Sequence, residues 1–369
     1  MRHRIFVFIL IFVSVSGCMA DEQRPAPGNP FLAYVDQIES IPVSFVVEKG
    51  FEETPMHQML NLVVDKTGRP IVVDSSNWTL HLLSVEGEPI QSVGGRGQGP
   101  GEYGLINDLY IDSQSRLYVL DKNQHRVTVY HILEDDLELE KTLSLQNYSD
   151  YRIESFYYSE HQGYMGVFYP SHRNAGEIYP IYVYRLDENL RLDELLFELP
   201  GNETMLLGNY VEDSFLGLET VWHATGESFY YATSDDFTVH RIDLRDLSKE
   251  SYPVPGVPEY KFDDQAQQAI FDRIRPDPQS YPGLEDELLE SETVPYFMEI
   301  RTDGNIVYFA PLPFQETGFV LRLDLGNQKM TRIEVPRWFV PYAQHEEKLY
   351  GIIHSELEGS SLLILELAE

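Results

Sequence analysis

Apolar and polar residues alternate along this chain in short runs separated by turn formers, and one such unit is plainly repeated. Asn61-Leu62-Val63-Val64-Asp65 aligns with Asp108-Leu109-Tyr110-Ile111-Asp112 at an offset of 47 residues, counted from Asp65 to Asp112. The offset carries without a gap through Arg69 and Arg116, Val72 and Val119, Asp74 and Asp121, and Leu82 and Val129. Each copy predicts a strand, a polar turn, a second strand ending in Asp, another turn and a third strand. Residues 89–93 and 137–143 supply a fourth strand. Such a period marks a fold built from repeated supersecondary units.

Weaker copies follow. Residues 153–158 and 164–169 flank Gly163, residues 219–223 and 228–232 flank Gly226, and residues 297–301 and 305–310 flank Gly304. A sixth copy offers only three strands, at 339–343, 348–354 and 361–367, whereas a strand at 43–47 stands alone before the first copy. Pairing one with the other closes a ring and leaves no long edge to aggregate. The expected fold is all-β, a six-bladed β-propeller of four-stranded antiparallel blades. Phe262, Ala266, Ala269, Ile270, Phe271 and Ile274 recur near the helical period before Pro276 and Pro278. Residues 262–274 therefore predict a helix, residues 284–289 a second helical turn, and residues 259–292 a small helical insertion between blades four and five.

The N-terminus has a different pattern. Arg2 and Arg4 precede an apolar run over residues 5–15 that ends in Ser16-Gly17-Cys18. That run is shorter than the ~20 residues of a membrane-spanning helix and has the layout of a signal peptide over residues 1–17. Residues 18–40 are expected to form a tether, with the propeller occupying 41–369. Cys18 is the only cysteine, so neither an internal disulfide nor a multi-cysteine metal site is available. Loss of residues 1–17 removes Arg2 and Arg4 and no acid, taking the formal charge from −33 to −35. Nucleic acid is a poor partner for so acidic a surface. With 43% hydrophobic and 12% aromatic residues, the chain can still build a packed core.

Two resemblances add to these readings. Val15-Ser16-Gly17-Cys18 resembles the lipobox of bacterial lipoproteins, which implies lipidation of Cys18 and a membrane partner through that anchor. Met19, where aspartate is linked to inner-membrane retention, points to the outer membrane within the cell envelope. The run Gly94-Gly95-Arg96-Gly97-Gln98-Gly99-Pro100-Gly101-Glu102-Tyr103 resembles the G-x-G-x-G-P-G-E-aromatic loop of bacterial six-bladed β-propeller lipoproteins, relatives of NHL-repeat propellers. The resemblance is strong over residues 61–130 and architectural beyond them. It supplies no catalytic residues, and implies binding of partners or ligands on a face of the ring, with hydrolases or lyases among its relatives. The loop itself has two readings. Its N–H groups and Arg96 can form an anion-binding nest. Alternatively it is a structural clasp, its N–H groups taken by Glu102 and Tyr103 wedged between blades, and this reading is preferred.

Other motifs are rejected on context. Gly99-Pro100-Gly101-Glu102-Tyr103-Gly104 matches G-x-G-x-x-G, but a strand follows where the dinucleotide motif needs a helix. Neither a phosphate-binding G-x-x-x-x-G-K-[ST] nor a G-x-S-x-G elbow occurs. His345 and His354 lack H-E-x-x-H spacing and are read as turn and strand residues. No catalytic or metal-binding residue is singled out, and no cofactor is predicted. The acidic run Glu134-Asp135-Asp136 with Glu138 and Glu140 leaves calcium open, without the Gly-containing EF-hand loop. Asn77, Asn147 and Asn202 begin accidental glycosylation triplets.

The preferred function is therefore a binding or scaffolding propeller for a glycan, peptide or envelope protein. Trp78, Tyr103, Tyr281 and Trp338 are candidate stacking residues, each with packing as the competing role. The alternative is a hydrolase or lyase, and it predicts that Asp, Glu or His side chains converge at the ring's axis.

Overall fold

A computed structural model describes residues 29–49, 56, 58–207, 210–214, 217–261, 295–311, 317–355 and 359–368. Six antiparallel sheets follow in chain order. Blade 1 comprises Met59–Val64, Pro70–Asp74, Thr79–Leu83 and Pro89–Gly94. Blade 2 comprises Ile106–Ile111, Arg116–Asp121, Arg126–Ile132 and Leu137–Ser144. Blade 3 has Tyr151–Ser159, Gly163–Pro170, Ile178–Leu186 and the long Leu192–Leu207, which turns back on Tyr210–Asp213. Thr220–Thr225, Ser228–Thr233, Thr238–Asp243 and Lys249–Pro253 form blade 4. Blade 5 is built from Glu299–Asp303, Ile306–Ala310, Thr317–Asp324 and Lys329–Pro336, with Ser40–Ile41 added in parallel at its edge.

Blade 6 is completed from the other end of the chain. Phe339–His345, Lys348–Ser355 and Gly359–Leu367 are joined by Val43–Lys49, with Val43 opposite Leu367 and Phe45 opposite Leu365. The first strand of each blade lies innermost, and that of blade 6 packs beside that of blade 1, so the ring is closed. Apolar clusters fill the spaces between blades, for instance Ile71, Leu80, Tyr103 and Tyr130 between blades 1 and 2. Side chains alternate across each strand, so every sheet buries both faces against its neighbours.

The 47-residue register extends further than the first two copies. Pairing of the first two strands skips one residue between Met59 and Asn61, between Ile106 and Asp108, and between Ile153 and Ser155. The bulged residues, Leu60, Asn107 and Glu154, keep the same spacing. A bulge re-aims the side chains around it, so three inner strands carry the same kink. The turn that follows is also shared. Asp65 Oδ1 accepts the N–H groups of Thr67 and Arg69 at 2.8 and 3.0 Å, and Asp112 Oδ1 those of Gln114 and Arg116 at 2.9 Å. Each aspartate also pairs with its arginine, at 2.6 and 2.7 Å. In blade 3 Ser159 takes the place of aspartate, accepts from His161 and Gln162, and donates to Glu227 Oε2 of blade 4 at 2.5 Å.

Two expectations need restating. The tether does not run to residue 40, because the helix Pro30–Val35 docks on the body with Phe31, Leu32 and Val35 buried. The Phe31 ring packs tilted against that of Tyr260, with centres 4.4 Å apart, and Asn29 caps the helix. These apolar residues have a complementary groove beside blades 4 and 5, which the Pro-rich and acidic composition of the tether does not announce. The predicted helices at 262–274 and 284–289 lie outside the described residues, as do residues 1–28 with Cys18.

Candidate functional site

The inner strands enclose an axial channel with a cavity of about 820 Å³, to which all six blades contribute. Its mouth, where the inner strands begin, is ringed by ion pairs. Lys122 Nζ lies 2.6 Å from Glu154 Oε1, and Arg173 pairs with Asp213 while its guanidinium lies over the Tyr169 ring. Asn202 braces this corner, donating to the Tyr169 hydroxyl at 3.0 Å.

Further charged groups line the channel from the other blades. Asp108 of blade 2 accepts the Leu109 N–H on Oδ1 at 2.9 Å. Its Oδ2 is buried and lacks a hydrogen bond of good geometry, although the Ser155 hydroxyl adjoins the carboxyl. Burial pushes the Asp108 pKa up to about 6, opposed by Ser155, by the Leu109 N–H and by the charge of Arg301.

His223 of blade 4 lines the same cavity. Its Nδ1 lies 2.8 Å from Thr302 Oγ1 and accepts the Thr302 N–H at 3.3 Å. A backbone N–H can only donate, so Nδ1 is unprotonated and the ring proton sits on Nε2. Burial, and then Arg301, push the His223 pKa down to about 3. The imidazole is neutral across the physiological range.

Arg301 of blade 5 is the central charge. Its guanidinium stacks 5.3 Å from the centre of the Tyr342 ring, donates to the Ile300 carbonyl at 2.8 Å, and approaches Glu299 Oε2 at 2.7 Å. Tyr342 in turn donates to the Leu60 carbonyl at 2.7 Å, tying blade 6 to blade 1. Trp222 and Tyr342 present half-buried rings to the cavity. At the other end stand Asp303 and His345, and burial raises the pKa of Asp303. His345, read from sequence as a turn residue, thus lines the channel. Among the described residues no group of three or more His, Cys, Asp or Glu side chains stands together as metal ligands.

The Gly94–Gly104 loop lies apart from this cavity. Tyr103 is fully buried, and its hydroxyl is 2.7 Å from that of Tyr130. Glu102 Oε2 accepts the Gly99 N–H at 2.8 Å, Tyr103 N–H reaches the Gly95 carbonyl, and Gly104 N–H reaches Asp121 Oδ2. Gly94, Gly95 and Gly101 have positive φ, as the glycine density of the loop predicts. Gly97 and Gly99 do not, but a Cβ on Gly97 would stand 2.1 Å from Glu102 Oε2. Pro100 follows Gly99 at the tip, and Arg96 points outward, exposed. Of the stacking candidates, Trp78 is buried, Trp338 lies under Arg337, and Tyr281 falls outside the described residues. Sequence reasoning missed Trp222, His223 and Arg301. Their signal is a polar or bulky residue on an inner strand where the first blade has Leu or Val.

Residues 43–212 match the model of a family described as 6-bladed beta-propeller. No curated protein matches the chain. Among solved structures, the chain is similar to BF0058 of Bacteroides fragilis, provisionally named an exported protein, with 13% identity over 89% of this chain and 96% of that one and a TM-score of 0.55. A member of the DUF4221 family from Bacteroides vulgatus shares 10% identity over 90% of this chain and 99% of that one, with a TM-score of 0.52. At such identities the likeness is one of fold. The six closed sheets continue through the whole ring what the matched portion begins, and the chain is a six-bladed β-propeller.

Proposed function

We propose that this propeller is a glycan-binding module of the cell envelope and that its ligand enters the axial channel. The observation that carries this reading is the meeting, in one cavity, of the half-buried rings of Trp222 and Tyr342 with Asp108, His223 and Arg301. Sugar rings offer apolar C–H faces to aromatic side chains and hydroxyls to carboxylates and guanidinium groups, so a pocket with few placed polar groups on an aromatic wall suits them. By sequence resemblance, the lipobox at Cys18 supports anchoring in the cell envelope and Met19 supports the outer membrane. Calorimetry against a panel of glycans tests the reading. Binding that falls by at least roughly tenfold in Trp222→Ala but is retained in Trp338→Ala supports the channel, whereas equal loss in both, or binding indifferent to Trp222, rejects it.

A second reading, a hydrolase or lyase, is favoured by one feature: Asp108 has a pKa near the operating range of a general acid or base and shares its cavity with a neutral histidine. Turnover of a bound glycan that disappears in Asp108→Asn, with binding retained, identifies this activity.

A further inference from the structure

We propose that Arg301 and His223 form an anion subsite and that the ligand of the channel is a sugar bearing a carboxylate. This rests on the reading of the channel as a glycan site and adds its ligand class. Lys66, Lys122, Arg152, Arg173 and Arg301 line the cavity among eight Asp and Glu, a larger share of cations than the 27 Lys and Arg against 60 Asp and Glu of the whole chain. Lys122 and Arg173 are paired, while Arg152 stands exposed at the mouth with no ion pair among the described residues.

Arg301 lines the cavity from blade 5. Its charge is felt by Asp108, Tyr157, His223 and Tyr342, on four different blades. The Tyr342 ring covers one face of the guanidinium, Nη1 donates to the Ile300 carbonyl at 2.8 Å, and the rest of its edge meets Glu299. Glu299 does not use that edge well, because its Oε2 sits 2.7 Å away without an aligned hydrogen bond. A ligand carboxylate can supply the two parallel hydrogen bonds that Glu299 does not, and guanidinium groups are suited to that fork. His223 adds a neutral donor. Its Nδ1 is committed to Thr302, so Nε2–H, which makes no hydrogen bond to the described protein, is left for the ligand.

Asp108 makes the subsite proton-sensitive. The groups that face it are Ser155, Glu154 and Tyr157 of blade 3 and Arg301 of blade 5. An arriving carboxylate is repelled by Asp108 in its charged form and tolerated by its protonated form, so binding takes up a proton and strengthens as pH falls through about 6.

The experiment is calorimetry on the purified protein with galacturonate, glucuronate and mannuronate oligosaccharides, their neutral counterparts and inorganic phosphate. At least one uronate should bind roughly tenfold or more tighter than its neutral counterpart. Arg301→Ala should abolish that preference, and Arg301→Lys, which keeps the charge without the fork, should lose most of it with the melting temperature held. Asp108→Asn should flatten the pH dependence. Equal binding of neutral and acidic glycans overturns the anion subsite and leaves the glycan reading standing. Arg301-dependent binding of phosphate with no glycan bound overturns the sugar, and an absence of all binding overturns both.

Discussion

Asp108 is a buried acid kept near its titration midpoint, and this has a measurable cost in stability. Its folded pKa, about 6, is raised above the value of 3.8 for a free aspartate. The folded state therefore binds more protons than the unfolded state between those two values, and stability falls as pH rises through that window. The difference in melting temperature between Asp108→Asn and the parent should grow from pH 4 to pH 7 in favour of the variant. The free energy at stake is at most about 3 kcal/mol, from two pKa units. A pH-independent difference would mean that Asp108 is ionised throughout. The loop before blade 2 offers a second test. We propose that it clasps blades 1 and 2, since Glu102 is bound to its own loop and Tyr103 is wedged in the core. Gly97→Ala, whose Cβ displaces Glu102, should lower stability by about 1 kcal/mol or more, as should Glu102→Ala. Gly99→Ala meets Glu102 only at 3.1 Å and should cost less, and Arg96→Ala should be silent in thermal melts. Loss of anion binding in Arg96→Ala with Glu102→Ala unchanged in stability would point instead to a ligand nest.

At the level of elements, the strand Val43–Lys49 closes blade 6 by pairing along Gly359–Leu367. Phe45 and Val46 are exposed, while Leu363 and Leu365 beneath the strand are buried. A chain starting at Gly50 should therefore melt lower and self-associate, because it uncovers the ladder edge of Gly359–Leu367. Monomeric behaviour with an unchanged melting temperature would show that the strand is dispensable. Strands were legible wherever local alternation and turn residues recur, and closure was legible from a missing fourth strand. The third blade keeps the 47-residue register, but Ser159 and Gly163 replace the Asp and Arg that mark the turn, which hides it from a motif comparison. The channel was illegible for a different reason. Asp108, His223, Arg301 and Tyr342 come one from each of four blades, and only the closed ring brings them together. No spacing along the chain encodes that meeting. The docked helix Pro30–Val35 was missed because its six residues are too few to show a period.

At the scale of the whole molecule, we propose that an acidic ring hangs from a lipid at Cys18 through the segment that precedes Asn29. Fractionation of Cys18→Ala should release the protein from membranes, since two or three acyl chains hold firmly and none remain. A variant that stays with the membrane, or a parent without acyl mass, would remove the anchor from this picture. The seam of blade 6 also bears on how the molecule is made. Val43–Lys49 leaves the ribosome long before its partner Gly359–Leu367. Nearly the whole ring separates them. Closing so long a loop adds little to the equilibrium cost, which grows only logarithmically with length, but it delays folding, because non-local pairing must wait for everything between. A chain that stops short of Gly359 cannot close its seam and keeps an open strand edge on each side of the gap. Synthesis that fails before Gly359 thus yields a ring that advertises the failure to proteases, whereas one that runs through Leu367 hides both edges at once.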